Sequence, residues 1–231
     1  MDTKNHPSTA IVVTGGSPPD PRVVSILPSP DFVVCADSGF DHALALGFTV
    51  DALVGDLDSI SSDGLARADA LGVPITTASP SKDETDTELA FVESLRLGAS
   101  AIVLLTGGGD RIDHLLGVIA ALGHHTLDGL ERLEAWIGSD HLAVARPHRP
   151  LEFDRSIGST FSLLPLGGPA VGVRASGLEW ALSGDTLDPG RARGVSNRVT
   201  SSPISISLDS GVLAVITPGL LDSLFPKGGP T

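Results

Sequence analysis

From residue 9 to about 137, short apolar runs alternate with polar, glycine-bearing loops and with stretches of helical spacing. The runs are Ala10 to Val13, Phe32 to Ala36, Ala52 to Val54, Val73 to Thr76, Ala101 to Leu105 and Leu133 to Ile137. Runs that are apolar at successive positions fit strands covered on both faces. Their alternation with helices predicts a mainly parallel open sheet with helices on both sides. Helical spacing is carried by Leu89, Val92 and Leu95, and again by Ile112, Leu115, Leu116, Ile119 and Leu122. Ligands of such sheets bind beyond the carboxyl ends of the strands, where the loops bearing Asp37, Asp56, Asp58 and Gly107 to Asp110 fall.

After about residue 145 the pattern changes. Helical periodicity gives way to short alternating runs such as Ile204-Ser205-Ile206-Ser207-Leu208, punctuated by Gly167-Gly168-Pro169, Asp188-Pro189-Gly190 and Asp209-Ser210-Gly211. The expected fold is therefore an α/β domain over residues 1–145 and an all-β sandwich domain over 146–231. The junction lies at the basic, proline-rich Arg146-Pro147-His148-Arg149-Pro150.

Composition narrows the classes of function. With 231 residues, 41% hydrophobic and 19% charged, the chain has ample material for a folded core. Twenty-eight acidic against 15 basic residues leave a net charge of −13, which repels nucleic acid and anionic membrane surfaces, so neither is an expected partner. An anionic substrate then needs a metal or a few placed cations. The single Cys35 lies in an apolar run and reads as a buried structural thiol. No segment reads as an export signal or a membrane span, and the expected compartment is the cytoplasm.

Four loops carry candidate chemistry. Asp37, in Cys35-Ala36-Asp37-Ser38-Gly39, either caps the next helix or turns a carboxylate into the crevice. In Gly55-Asp56-Leu57-Asp58-Ser59 the i,i+2 spacing lets both carboxylates face one side; they form a solvated turn or a cation site. Crowded carboxylates repel unless a cation lies between them, and Mg²⁺ suits such oxygen donors. Lys82-Asp83-Glu84-Thr85-Asp86-Thr87-Glu88 contains a capping box, Thr85 with Glu88, which explains its acids as helix-start residues. It leaves Lys82 unexplained, a cation suited to phosphate. The glycine run Gly107-Gly108-Gly109 before a helix start offers backbone N–H groups to phosphate oxygens, although no Walker loop is present. Beyond it Arg111 and His114, three apart, lie opposite Ile112, Leu115 and Ile119, facing either the crevice or solvent. In the second domain Trp180 is either a core residue or a flat face for a cationic aromatic ligand.

Seven segments in order, from about Ala10 to Ile216, together resemble the thiamine pyrophosphokinase (thiamine diphosphokinase) family. They are the Ala-Asp-x-Gly turn at Asp37, Gly-Asp-x-Asp-Ser at 55–59, Lys-Asp-x-Thr-Asp at 82–86, Gly-Gly-x-Arg-x-Asp-His ending at His114, Ser-Leu-x-Pro at 162–165, Gly-Leu-x-Trp-x-Leu at 177–182, and Ser196-Asn197. The resemblance implies an α/β catalytic, ATP-binding domain, a thiamine-binding β-sandwich, and a homodimer whose active sites lie between chains. It implies Mg²⁺ on Asp56, Asp58 and Asp86, with Asp37 and Asp83 close by. Lys82, Thr85, Gly108, Gly109, Arg111, Asp113 and His114, together with Asp37, would position the nucleotide. Trp180, Ser196 and Asn197 would receive thiamine. The chain departs from the family pattern at Ser38, Gly117 and Arg198.

The expected reaction is ATP + thiamine → AMP + thiamine diphosphate. Lys82 and Arg111 would stabilise charge on the transferred group, and Asp58 or Asp86 would be the candidate proton acceptor. Two alternatives carry different expectations. A pyrophosphokinase acting on another primary alcohol, such as a hydroxymethylpterin, would also stack its acceptor on Trp180. A non-catalytic thiamine or nucleotide sensor would bind without producing AMP.

Overall fold

A computed structural model of the chain describes residues 6–77, 84–109 and 111–226. Two compact units are present, one over residues 1–121 and 129–138 and one over 122–128 and 139–231.

In the first unit the strands are β1 (Thr9–Val13), β2 (Phe32–Ala36), β3 (Ala52–Gly55), β4 (Ile75–Thr77), β5 (Ala101–Thr106) and β6 (Arg132–Ile137). They pair in parallel in the order β4-β3-β2-β1-β5-β6. The helices are α1 (Gly39–Ala45), α2 (Ser62–Leu71), α3 (Asp86–Arg96) and α4 (Ile112–Ala121). Right-handed crossovers place α1 and α2 on one face, because the chain there steps outward from β2 to β4. They place α3 and α4 on the other face, because from β4 the chain returns past β1 and steps the opposite way. The strand order reverses between β1 and β5, the position at which open sheets of this kind bind their ligands. β1 and β5 are buried at every position, as apolar runs require. β4 is not: as the edge strand all three of its residues are exposed, so it differs from a strand covered on both faces.

Helix faces depart from the simplest periodicity. In α3 the buried side chains are Thr87, Ala90, Phe91, Glu93 and Ser94, whereas Val92 is 51% exposed. Small residues let this helix lie close to β1, β2 and β3, and the Leu89–Val92–Leu95 stripe is rotated away from the sheet. In α4 only Ala121 is buried, while Ile112 and Leu116 are 76% and 59% exposed. An apolar helix turns only one side to a sheet, and its other side here carries bulk that the sheet leaves uncovered.

The second unit consists of β7 (Asp140–Ala145), β8 (Leu151–Phe153), β9 (Thr160–Pro165), β10 (Ala170–Ser176), β11 (Leu182–Leu187), β12 (Asn197–Arg198), β13 (Ile204–Ser207), β14 (Leu213–Thr217) and the short helix α5 (Leu220–Leu224). One antiparallel set runs β12-β9-β14-β7 and the other β11-β10-β13-β8. Phe161, Leu163, Leu213 and Val215 of the first set share one core with Val173, Ala175, Ile204 and Ile206 of the second, which makes the pair a sandwich. The alternation in Ile204 to Ser207 is the pleat of β13, with the isoleucines buried.

Candidate functional site

The chemistry-bearing loops of the first unit begin where β2 and β3 end. β2 runs into Asp37, whose N–H donates to the Val54 carbonyl at 3.0 Å and holds the loop against β3. Asp37 takes a positive φ of 46°, and Leu57 one of 66°. For non-glycine residues such backbone costs on the order of 1–2 kcal/mol each, and it clusters at functional loops. A Cβ on Gly55 would overlap the Asp37 carboxylate, so a glycine is required for the two loops to close on each other. The Asp37 carboxylate accepts from the Leu57 N–H at 3.1 Å, and Asp56 accepts from the Asp58 N–H at 3.1 Å.

These turns bring carboxylate oxygens of Asp37, Asp56 and Asp58 within 4.8 Å of one another. Asp86, in the first turn of α3, hydrogen-bonds Asp37 and adds its charge to both Asp37 and Asp58. The electrostatic consequence is severe. Burial first, then the Asp86 hydrogen bond and the charges of Asp86 and Asp56, push Asp37 up to about 7 against the opposing Leu57 N–H. The charge of Asp56, followed by its hydrogen bond, raises the exposed Asp58 as well. A hard divalent cation with oxygen ligands fits this donor set, because it converts the repulsion into attraction. Asp37, expected beside such a cation, stands inside the trio whose oxygens converge.

Support behind the cluster is local. Asp41 of α1 accepts from the Ser61 N–H at 3.0 Å and its hydroxyl at 2.9 Å, bracing the segment after Asp58. The capping box at α3 is formed: Thr85 N–H donates to Glu88 at 2.7 Å and Glu88 N–H donates to the Thr85 hydroxyl at 3.3 Å. Lys82, Asp83 and Asp110 lie outside the described residues.

The glycine loop after β5 packs against a second glycine loop after β1. Gly107 N–H donates to the Ser17 carbonyl at 3.0 Å, and a Cβ on Gly107 would collide with the Ser17 and Pro18 backbone. His42 of α1 ties the β1 loop down by donating from Nε2 to the Gly16 carbonyl at 3.0 Å. Motif reading overlooked Gly15-Gly16-Ser17, because it carries no distinctive side chain. Its signal was a glycine pair directly after a fully apolar strand. Gly108 and Gly109 both take positive φ. Arg111, Asp113 and His114 are all exposed at the start of α4. Arg111 is engaged by Asp113, at 3.2 Å from Nε and 2.6 Å from Nη2. That hydrogen bond holds Asp113 down at about 2.

In the second unit Trp180 is 58% exposed, which removes the core reading. Buried Asn197 clamps its backbone, accepting from the Trp180 N–H at 3.1 Å and donating to its carbonyl at 2.9 Å. Ser196, at φ 58°, is exposed, and its N–H donates to the Ser162 hydroxyl at 3.0 Å. Arg198, one of the departures from the family pattern, pairs with Glu179 at 3.6 Å beside the tryptophan.

Comparison with known proteins covers both units. A family model described as "Thiamin pyrophosphokinase, catalytic domain" matches residues 24–131, and one described as "Thiamin pyrophosphokinase, vitamin B1 binding domain" matches 149–213. The chain is 28% identical over 209 residues to Thiamine pyrophosphokinase 1 of Arabidopsis thaliana, covering 80% of this chain and 77% of the relative. To Thiamine pyrophosphokinase 1 of Oryza sativa subsp. japonica it is 25% identical over 206 residues, covering 80% and 78%. Among solved structures, the thiamine pyrophosphokinase of Bacillus subtilis superposes with a TM-score of 0.76 at 21% identity, covering 90% of this chain and 98% of the other. The yeast structure gives 0.73 at 17% identity, covering 95% and 90%. At these identities the structures establish a shared fold.

Proposed function

The chain belongs to the thiamin pyrophosphokinase family, and on that footing we propose that it transfers the diphosphoryl group of ATP to the hydroxyl of thiamine. The family findings favour neither a pterin acceptor nor a non-catalytic sensor. The thiamine hydroxyl oxygen attacks the β-phosphorus of ATP. The bond from that phosphorus to the α,β-bridging oxygen breaks, and AMP leaves with the electron pair. The hydroxyl proton passes to a nearby carboxylate, Asp58 or Asp86, or to water.

The observation that carries the chemistry is the convergence of Asp37, Asp56 and Asp58, with Asp86 alongside. We assign Asp56, Asp58 and Asp86 as the Mg²⁺-binding set, with Asp37 completing the cradle. When bound, the cation neutralises charge on the phosphoryl oxygens. Gly108 and Gly109 present backbone N–H groups to phosphate, Thr85 and Asp37 shape the nucleotide side of the crevice, and Arg111 with Lys82 offsets charge on the transferred group. Asp113 holds Arg111 until nucleotide arrives, and His114 flanks the same helix start. Trp180, held in place by Asn197 and followed in role by Ser196, gives the thiazolium and pyrimidine rings an exposed aromatic face.

A homodimer with sites shared between chains is part of the same proposal. Its support is the uncovered bulk of Ile112 and Leu116, one turn apart on α4, with exposed Val92 on the neighbouring helix α3. The cytoplasm is the proposed compartment; among the described residues no helix is long and apolar enough to cross a membrane. Incubation with ATP, Mg²⁺ and thiamine tests the reading. AMP with thiamine diphosphate is expected, and ADP with thiamine monophosphate would replace it with an ordinary kinase.

A further inference from the structure

Ser38 is one of the positions at which the chain departs from the family pattern, and its hydroxyl takes no part in the reaction as assigned above. Packing seats it where three loops meet. A Cβ on Gly39 would run into the backbone of Val13 and Thr14, so only glycine lets the loop after β2 press onto the end of β1. Ser38 is thereby set against the loop after β1, and a Cβ on Gly15 would stand 2.5 Å from its hydroxyl oxygen. From the loop after β3, the Ser59 hydroxyl donates to the same oxygen at 3.4 Å. Asp37 precedes Ser38 and Asp58 precedes Ser59, so two of the converging carboxylates are chain neighbours of this hydroxyl pair.

The Ser38 hydroxyl is not spent on the fold. Serine before a helix normally caps it from an extended backbone, but here φ of −62° and ψ of −8° are already helical and the side chain makes no capping bond. The bond from Ser59 is longer than the usual ~2.5–3.0 Å between hydroxyls, and it uses one proton of the two. Among the described residues neither hydroxyl makes a further hydrogen bond, so one O–H remains to be donated. Ser38 is half-buried and Ser59 exposed, which leaves the pair open to an incoming ligand. Phosphate oxygens that share a cation with Asp56 and Asp58 come close to carboxylates that repel them. A hydroxyl stabilises such an oxygen by donating to it.

We propose that the Ser38 hydroxyl, oriented by Ser59, is a substrate contact that donates to an oxygen of the ATP phosphate chain. The inference rests on the assignment of ATP as the diphosphoryl donor. Ser38 keeps its proton throughout, and the contact serves to hold the phosphate chain in place.

Calorimetric titration of the whole protein with α,β-methylene-ATP, in Mg²⁺ and without thiamine, tests it. The methylene bridge cannot be cleaved at the bond that breaks in the reaction, so the readout is binding alone. Ser38→Ala should weaken the analogue about tenfold or more, since a hydrogen bond to a charged group is lost. The rise in melting temperature on adding Mg²⁺ without nucleotide should be the same in Ser38→Ala as in the wild-type protein. Titration with AMP locates the contact. An equal loss for AMP marks the α-phosphate, and a loss confined to the analogue marks the transferred group; both support the proposal. Unchanged analogue affinity in Ser38→Ala would overturn it while leaving the assigned reaction intact. So would a Mg²⁺ shift that falls together with the affinity, since Ser38 would then act by holding the acidic loop. No saturable binding of the analogue to the wild-type protein up to about 10 mM would overturn the contact and the assignment of ATP together.

Discussion

Two acidic sites lie at carboxyl ends of parallel strands in the same unit, and their electrostatics run in opposite directions. At the ends of β2 and β3, Asp37 is driven up to about 7 by burial and neighbouring acids. At the start of α4, Asp113 is held down at about 2 by Arg111. Hydrogen bonds from Asp37 N–H to Val54 and from Leu57 N–H to the Asp37 carboxylate hold the first site together against its own repulsion and against the strain of positive φ at Asp37 and Leu57, while the second is an exposed pair already satisfied by its neighbour. A group kept in an unfavourable state by the surrounding fold is the signature of a functional site. A satisfied surface pair contributes little to stability and can open when a better anion arrives.

The contrast predicts unequal mutational costs. Asp58→Asn removes a proposed ligand from the frustrated site, and turnover should fall about a hundredfold or more, on the order of 3 kcal/mol of transition-state stabilisation. Steady-state AMP formation measures this, and near-normal turnover would remove Asp58 from the metal set. Arg111→Gln breaks only the exposed pair and the proposed contact to phosphate, so kcat/KM for ATP should drop about ten- to a hundredfold, the worth of charge-assisted hydrogen bonds. An unchanged kcat/KM would leave Arg111 a surface residue. Trp180→Ala should raise the KM for thiamine by a factor that corresponds to about 1–2 kcal/mol, with little change in melting temperature. A stability loss of about 3–5 kcal/mol, the cost of emptying a core site, would instead return Trp180 to a packing role.

Much of this arrangement was legible in the chain, and the exceptions have physical causes. The apolar runs of β1, β2, β3 and β5 announced a parallel sheet because strands buried on both faces tolerate few polar residues. The acids after β2 and β3 were visible because charge directly after such runs is conspicuous. The buried face of α3 escaped because Ala90 and Ser94, small residues chosen for close approach, carry weak hydrophobic signals beside Leu89, Val92 and Leu95. The exposure of α4 escaped because an apolar helix does not say which side its sheet will cover. Gly15 to Ser17 escaped because their contribution is backbone, which periodicity does not register. The Asp37 role was open between cap and crevice, since only the fold could show Gly55 yielding space to its carboxylate.

The central claim is that the fold holds Asp37, Asp56 and Asp58 together for a cation, and melting temperature against pH tests it most directly. Asp37 has a folded value of about 7 against an ordinary 3.8. Between those two pH values the folded state keeps a proton that the unfolded chain has released, so metal-free stability falls as pH rises through the window and levels off above it. Relative to Asp37→Asn, the wild-type protein should therefore lose melting temperature from about pH 4 to about pH 7. At about pH 8, Mg²⁺ should raise the wild-type melting temperature well above its metal-free value and shift Asp58→Asn far less. A wild-type curve that stays parallel to Asp37→Asn across the window, with equal Mg²⁺ shifts in wild type and Asp58→Asn, would contradict the account.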